Sequence, residues 1–513
     1  MIHKTLLSML AVLFLSGVGF AQIQINEIRI DQPSDDNDEY FELVGPANAS
    51  LDGLTYLVIG DGSTASGTIE AVIDLTGLTL DGNGFFVAAE STFTLGTADF
   101  TTSLNFENSD NVTHMLVSGF TGLNGDDLDF DDDCSLDVTP WSTIEDSIAL
   151  VETPPALGEC LYGLPRVGPD GNFVPGHAFR CFGGNWAIGS FDPSGGSDSP
   201  GADNAACSDL LPRLSEIRID QPSNDDDEYF ELQGQPGWKL DGLSYIVIGD
   251  GTGGSGVIDT DGVIDLTGQV IDSNGFFTCA ESTFTAGNAD YITDLGFENS
   301  DNVTHLLVAN NTASAGDDLD TDDDGVLDVT PWDSIVDSVA LIETVGSGDL
   351  VYSSTQVGPD GSFVPGHVFR CHGDNWFIGP FDIAVGWDTP DSRNTQIILN
   401  GPLAASTPFN FTICAEGAEG DTAIVLWSCT GSASNVSAPD GRPIPITADV
   451  CTALALNLGT IFTGTVGLDG IANTPIAAAP ANTPVGFTFY LAGVTLSSSG
   501  FNQILDSVAI VSE

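Results

Sequence analysis

The 513-residue chain reads as an all-β protein built from antiparallel sandwiches, and three observations say so. Apolar residues alternate over short runs separated by Gly, Asp and Asn, which is the pattern of strands joined by tight turns. No segment sustains the i, i+3, i+4, i+7 stripe of an amphipathic helix. One long stretch occurs twice, so the fold it encodes is present in tandem.

Met1 to Ala21 reads as a secretory signal: His3 and Lys4 precede an apolar run from Leu6 to Phe20, and small residues lead to Ala21 before Gln22. The run is shorter than the roughly 20 apolar residues of a membrane span, and Ser8, Ser16, Gly17 and Gly19 interrupt it. The expectation is an exported chain beginning near Gln22, released or held non-covalently at the bacterial cell surface, with no membrane span.

In the first copy, residues 22–206, Ile28 and Ile30 flank Arg29, Phe41 and Leu43 flank Glu42, and Leu54, Tyr56 and Val58 share a face. Asp52-Gly53, Gly60-Asp61-Gly62 and Asp81-Gly82-Asn83-Gly84 supply the positive-φ positions of tight turns between them. The second copy, residues 212–396, repeats EIRIDQPS from Glu27 at Glu216 and FENSDNVTH from Phe106 at Phe297. LDVTPW recurs from Leu136 at Leu327, and FVPGH from Phe173 at Phe363. An offset of 189 to 191 residues is a whole domain, far longer than the roughly 20–50 residues of a solenoid unit.

Residues 397–513 are a third, unrelated β-sandwich module. Phe409, Phe411 and Ile413 alternate, Ala423–Trp427 reads as a buried run, and Val485–Val494 carries Phe487 and Phe489. Ala472–Pro484, rich in Ala, Pro and Thr, reads as an extended loop.

Charge excludes several roles. The chain has 10 Lys+Arg against 74 Asp+Glu and a net charge of −64, with Lys4 and Lys239 its two lysines, so phosphate-contacting nucleic-acid binding and anionic membrane surfaces are disfavoured. Disorder is not the consequence, because 29 Phe and 42% apolar residues supply core material. Nine cysteines in an exported chain predict disulfides and leave one thiol over. Cys160 and Cys207 lack counterparts in the second copy and are the expected pair, while Cys414, Cys429 and Cys451 are placed to staple the third module. With no C-x-x-C, zinc or thioredoxin-like chemistry is not indicated.

Several motifs in order carry a family resemblance: INEIRID, DEYFEL after an acidic loop, SLDGLTYLVIGDG, NGFFVAAE, DSIALVE and the closing SPGADN at Ser199–Asn204. Together they resemble bacterial lamin tail domains. The resemblance covers both copies and implies immunoglobulin-like β-sandwiches used for interaction or attachment, with no catalytic residues to carry over. The second copy departs where Thr389-Pro390-Asp391-Ser392-Arg393-Asn394 replaces the SPG form.

Calcium is the cofactor expectation. Asp320-x-Asp322-x-Asp324-Gly325-Val326-x-Asp328 matches the first nine positions of an oxygen-rich calcium loop: alternate carboxylates and the Val326 carbonyl converge on a hard cation, and Gly permits the sharp turn. Pro331 stands where a helix-loop-helix site has its bidentate Glu, so weak binding of about 0.1–1 mM, as in extracellular modules, is the expectation. In the first copy the frame is Asp129, Asp131, Asp133 and Asp137, with Cys134 in place of the Gly, which weakens that site. The other acidic runs, Asp35, Asp36, Asp38, Glu39 and Asp225–Glu228, read as solvated loops.

No G-x-S-x-G, H-E-x-x-H, P-loop or dinucleotide fingerprint is present, and the Gly-rich stretches Gly60–Gly67 and Gly249–Gly256 read as loops. His114/His305 and His177/His367 recur inside long identical motifs, as structural residues do; an acid–base pair of His177 with Asp170, or a metal on His372 and Asp374, is the weaker reading. The functional expectation is a non-enzymatic extracellular protein that binds another protein or a polysaccharide. Two alternatives stand beside it: a carbohydrate-binding protein using Trp141/Trp332 and Trp186/Trp376 as an aromatic platform, and a secreted hydrolase, of nuclease, phosphoesterase or glycosidase type, with carboxylate catalysis.

Overall fold

The computed structural model describes residues 23–60, 66–154, 159–249, 254–343, 350–371, 373, 375–434, 436–449, 451–452, 462–479 and 481–512. The expected leader, the expected Asp61-Gly62 turn, and His372 with Asp374 lie outside them. The chain divides into two compact units, Met1–Asp209 and Leu210–Glu513. Strands dominate both, and helical turns such as Ala205–Leu210 are short.

Among the described residues of the first unit, eleven strands run in chain order from β1 to β11: Gln24–Arg29, Tyr40–Val44, Leu54–Gly60, Thr68–Asp74, Phe85–Ala89, Phe100–Thr101, Val112–Ser118, Thr143–Leu150, Arg166–Val167, His177–Arg180 and Trp186–Ile188. They form two sheets, ordered β11-β10-β1-β2-β5-β6 and β4-β3-β7-β8-β9. Ile28, Phe41 and Leu43 of one sheet pack against Tyr56, Val58, Leu116 and Ile148 of the other, with Phe41 stacked on Tyr56 at 3.7 Å between ring centroids. A bulge between Ile25 and Glu27 in β1 keeps both Ile25 and Ile28 in that core.

The second copy repeats this plan. Its sheets order Tyr291–Ile292, Phe276–Ala280, Tyr229–Gln233, Arg213–Arg218, His367–Arg370, Trp376–Ile378, and Val257–Asp265, Leu243–Gly249, Val303–Ala309, Ser334–Leu341, Gln356–Val357. Phe230 stacks on Tyr245 at 3.7 Å.

The polar residues that alternate with the core positions of β1 and β2 are covered as well: Glu27, Arg29 and Glu42 are fully buried. The closing segment of the copy covers that face. Ser199 N–H donates to Glu27 (3.0 Å), Gly201 N–H donates to Glu42 (2.5 Å), and Arg29 grips Asp198 through two 2.6 Å contacts. The outer face of the other sheet is covered too. Leu57, Ile59, Met115 and Val117 pack under Leu128, Leu136 and Trp141, which flank the acidic run, so the run is pinned to the sheet by apolar anchors on both sides.

In the last module, Ile397–Asn400, Pro408–Cys414 and Ile471–Asn473 form one sheet, and Thr463–Thr465, Thr422–Ser428, Thr488–Ser497 and Gly500–Val511 another. Phe411, Ile413, Val425, Trp427, Leu491 and Leu505 fill the space between them. Part of the expected 472–484 loop is strand, because Ile471–Asn473 and Ala477–Ala478 pair with Pro408–Cys414.

The disulfides differ from the expected Cys160–Cys207 pair: the bonds are Cys134–Cys160, Cys181–Cys207, Cys371–Cys414 and Cys429–Cys451. The closing segment explains the change, since Asn204 Nδ2 donates to Arg180 O at 2.8 Å and so brings Cys207 beside Cys181. Cys429–Cys451 staples the last module as expected, whereas Cys414 ties it to the second copy. Cys279 is a buried free thiol.

Candidate cation-binding loops

The two acidic loops have one construction. Leu128 and Leu319 are buried in the outer clusters, and the next residue, Asp129 or Asp320, is turned inward and fully buried. Asp129 accepts hydrogen bonds from the N–H of Asp133 (3.2 Å) and Cys134 (2.9 Å) and from the Tyr162 hydroxyl (2.8 Å). Asp320 accepts the same three from Asp324 (3.2 Å), Gly325 (2.9 Å) and Tyr352 (2.8 Å). Farther on, Asp137 accepts from Phe130 N–H (2.8 Å), and Asp328 from Thr321 N–H (3.0 Å) and the Thr321 hydroxyl. The chain crosses left-handed backbone at Asp132 and Cys134 (φ 55° and 68°) and at Asp323 and Gly325 (φ 53° and 86°). Cys134 therefore holds the conformation that the sequence reading reserved for Gly, and the two turns close alike.

A neighbouring strand start fixes each loop from the side. Ser66 N–H donates to Asp132 (2.9 Å) and Ser255 N–H to Asp323 (3.1 Å). Gly67 and Gly256 follow, each at φ 77°, and a Cβ on them would lie 2.7 Å from Asp129 Cβ and 2.6 Å from Asp320 Cβ. Only glycine lets the strand pass so close.

Carboxylate oxygens of Asp129, Asp131 and Asp137 all lie within 4.8 Å of one another, as do those of Asp320, Asp322 and Asp324. Asp133 and Asp328 stand outside these triads: Asp133 accepts from Ser135 N–H (2.9 Å), and Asp328 is occupied by Thr321. Val326 follows in the same turn, its N–H on Asp324 (2.9 Å). The charge of Asp133, then desolvation, then Asp137 and Asp129 raise the Asp131 carboxyl above its ordinary range. The charge of Asp324, desolvation, and the charges of Asp328 and Asp320 raise Asp322 in the same way. Burial works against ionised Asp320, but the Tyr352 hydroxyl and the amides of Gly325 and Asp324 outweigh it and hold its carboxyl low. In each loop an aspartate above the buried base residue is thus repelled by its neighbours. A divalent cation against the triad removes that repulsion.

The sequence reading did not find Tyr162, Tyr352, Ser66, Ser255, Gly67 or Gly256. One signal was present: Tyr162 and Tyr352 recur 190 residues apart although the residues around them differ.

The buried histidine clusters are held by internal partners. His177 Nε2 meets Glu27 at 2.8 Å and His367 Nε2 meets Glu216 at 2.7 Å, all four fully buried, and Asp198 and Asp388 beside them already carry the Arg29 and Arg218 guanidinium groups. His177 thus turns to Glu27 and not to Asp170. His114 and His305 lie under the Tyr56 and Tyr245 hydroxyls, where burial pushes each down to about 3 and keeps it neutral. The expected solvated reading of the earlier acidic runs is corrected in part. Asp38, Glu39, Asp227 and Glu228 are buried; Asp38 accepts from Thr94 N–H (2.5 Å), and Glu39 from the N–H of Asn105 (2.7 Å) and Phe106 (3.1 Å). Trp186 and Trp376 lie under the guanidinium groups of Arg180 and Arg370, 4.9 and 4.8 Å from the ring centres, and Trp141 and Trp332 pack on the outer clusters. All four rings are half-buried.

No family model and no curated protein matches the chain. Among solved structures, the chain aligns over 96% of its length with the tetra-tandem repeat in the extending region of a large adhesion protein, at 10% identity, 99% coverage of that chain and a TM-score of 0.15. It also aligns over 96% of its length with the FN1-FN3 domains of chicken CNTN1, at 8% identity, 97% coverage of that chain and a TM-score of 0.16. Scores this low carry no argument, and the β-sandwich architecture rests on the strand pairing itself. Among the described residues, no helix is long and apolar enough to cross a membrane.

Proposed function

We propose that this chain is an exported, non-enzymatic extracellular protein whose paired lamin-tail-like domains serve in surface attachment, matrix structure or protein interaction, with calcium locking the loops at Asp129–Asp137 and Asp320–Asp328. The observation that carries this reading is that a carboxylate triad forms in both copies, sharing the equivalent pairs Asp129/Asp320 and Asp131/Asp322 and completed by Asp137 in one and Asp324 in the other, on loops fixed by the same apolar anchors and the same tyrosine contact. Four disulfides support an oxidising compartment. The partner surface of such a protein is an extracellular protein or polysaccharide, and the net charge of −64 turns it away from nucleic acid.

Calorimetric titration of the chain lacking its leader tests the reading. Two calcium ions binding at about 0.1–1 mM are expected, with one lost in Asp129→Asn and the other in Asp320→Asn. No heat of binding, or turnover on a panel of phosphodiesters and glycosides, contradicts it.

A further inference from the structure

The acidic loops differ at one position that bears on how each is held. The left-handed residue after the third aspartate is Gly325 in the second copy and Cys134 in the first. A residue with a Cβ is disfavoured there, so the first loop needs something that the second does not. That something is the bond from Cys134 to Cys160. Cys160 lies two residues before Tyr162, whose hydroxyl donates to Asp129 Oδ2 at 2.8 Å, and the Cys134 N–H donates to the same oxygen at 2.9 Å. The covalent link therefore ties together the two segments whose hydrogen bonds meet on one buried carboxylate.

The second copy has a matching pair without the bond. A Cβ built on Gly325 would lie 3.2 Å from Leu350 Cδ2, and Leu350 is two residues before Tyr352, which donates to Asp320 Oδ2 at 2.8 Å. Gly325 and Leu350 thus stand where Cys134 and Cys160 stand, with the Leu350 side chain beside the glycine where the first copy has the disulfide. Cys160 is buried whereas Cys134 is exposed, so a reductant reaches the bond from the Cys134 side.

We infer that the Cys134–Cys160 disulfide is a redox-sensitive staple that preforms the first acidic loop, making divalent-cation binding there depend on thiol oxidation state while the second loop binds irrespective of it. This rests on the calcium reading above. A dithiol opens the staple in two exchanges. Its first thiolate attacks one protein sulfur and displaces the other as a thiolate, which takes up a proton; its second thiol then resolves the mixed disulfide, leaving two protein thiols and one cyclic disulfide. Cys134 is then an untethered residue in left-handed backbone, and the loop relaxes.

The test uses the full chain without its leader, carrying Asp320→Asn and Asp322→Asn to silence the second loop. Calcium titration and hydrogen exchange at the amides of residues 129–137 are compared between this parent, Cys134→Ser/Cys160→Ser, and Cys134→Gly/Cys160→Leu. The expected result is calcium binding weaker by about tenfold in the Ser pair, with faster exchange, and recovery in the Gly/Leu pair, which copies the second loop's solution. Equal affinity and equal exchange in parent and Ser pair overturn the staple while leaving the calcium reading intact. A parent that binds no calcium, while the chain with both loops intact also binds none, overturns the calcium reading and the inference with it.

Discussion

Arg29 and Asp198, 169 residues apart in sequence, meet in a two-contact ion pair with 2.6 Å on each arm and almost no exposure to solvent. Arg218 and Asp388 repeat it in the second copy at 2.6 and 2.8 Å. The pair joins the first strand of each copy to its closing segment, and carbonyl oxygens of Ser190, Phe191 and Asp31 satisfy the remaining guanidinium donors of Arg29. In a chain with so few basic residues, two of them are spent as buried fasteners.

Removing one partner strands the other charge. Asp198→Ala is expected to destabilise the first unit by about 3–5 kcal/mol, because Arg29 is left buried and unpaired. Calorimetry of the full chain reads this as a fall in one unfolding transition of roughly 2–4 °C per kcal/mol. A change within 1 °C contradicts the fastener role.

The buried carboxylates set a pH dependence. Burial pushes Glu42 up to about 8, Glu39 to about 7 and Glu228 to about 9, from 4.5. A raised carboxyl binds its proton more tightly in the folded chain, so its stabilising contribution is complete below 4.5 and is lost as pH climbs through the folded value. His114 and His305, held near 3, work oppositely below their ordinary 6.5. Between pH 6.5 and 9 the carboxylates act alone among these groups, so the melting temperature at pH 6.5 should exceed that at pH 9, and Glu42→Gln should flatten the difference. A curve that rises towards pH 9 is the contrary result.

Gly256→Ala places a methyl group against Asp320 on left-handed backbone. A loss of about 1–2 kcal/mol follows from the backbone conformation and the contact together. The second loop should lose calcium affinity in the same variant. Gly268→Ala, also at positive φ but with open space around it, separates the two effects by keeping full affinity.

Tyr352→Phe removes the hydroxyl that donates to Asp320. The expected loss is about 1 kcal/mol of stability with calcium binding weakened several-fold at the second loop and unchanged at the first. Equal weakening at both loops contradicts a local role.

Short-range patterns made part of this legible. Strand alternation around Ile28, Phe41 and Tyr56, the 189-to-191-residue repeat, and the aspartates of both loops are local signals, and each fixes an element without knowledge of its neighbours. What stayed hidden depends on contacts far apart in sequence. Arg29 and Glu42 alternate with core residues in sequence, and the return of residues 197–204, far along the chain, is what covers their face. Cysteine pairing failed for the same reason: Cys207 meets Cys181 because of how the closing segment docks, which no spacing encodes. Tyr162 lay 33 residues from Asp129, beyond any motif window.

The most direct measurement is thermal unfolding of the leader-free chain in chelator and in millimolar calcium. With calcium in the Asp129–Asp137 and Asp320–Asp328 loops, the cation binds the folded state and raises its melting temperature, by about 1.4 kcal/mol of linkage per site at ten times the dissociation constant. The combined Asp129→Asn/Asp320→Asn variant should lose that response. Superimposable unfolding curves with and without calcium would contradict the account, leaving the paired triads as solvated acidic turns.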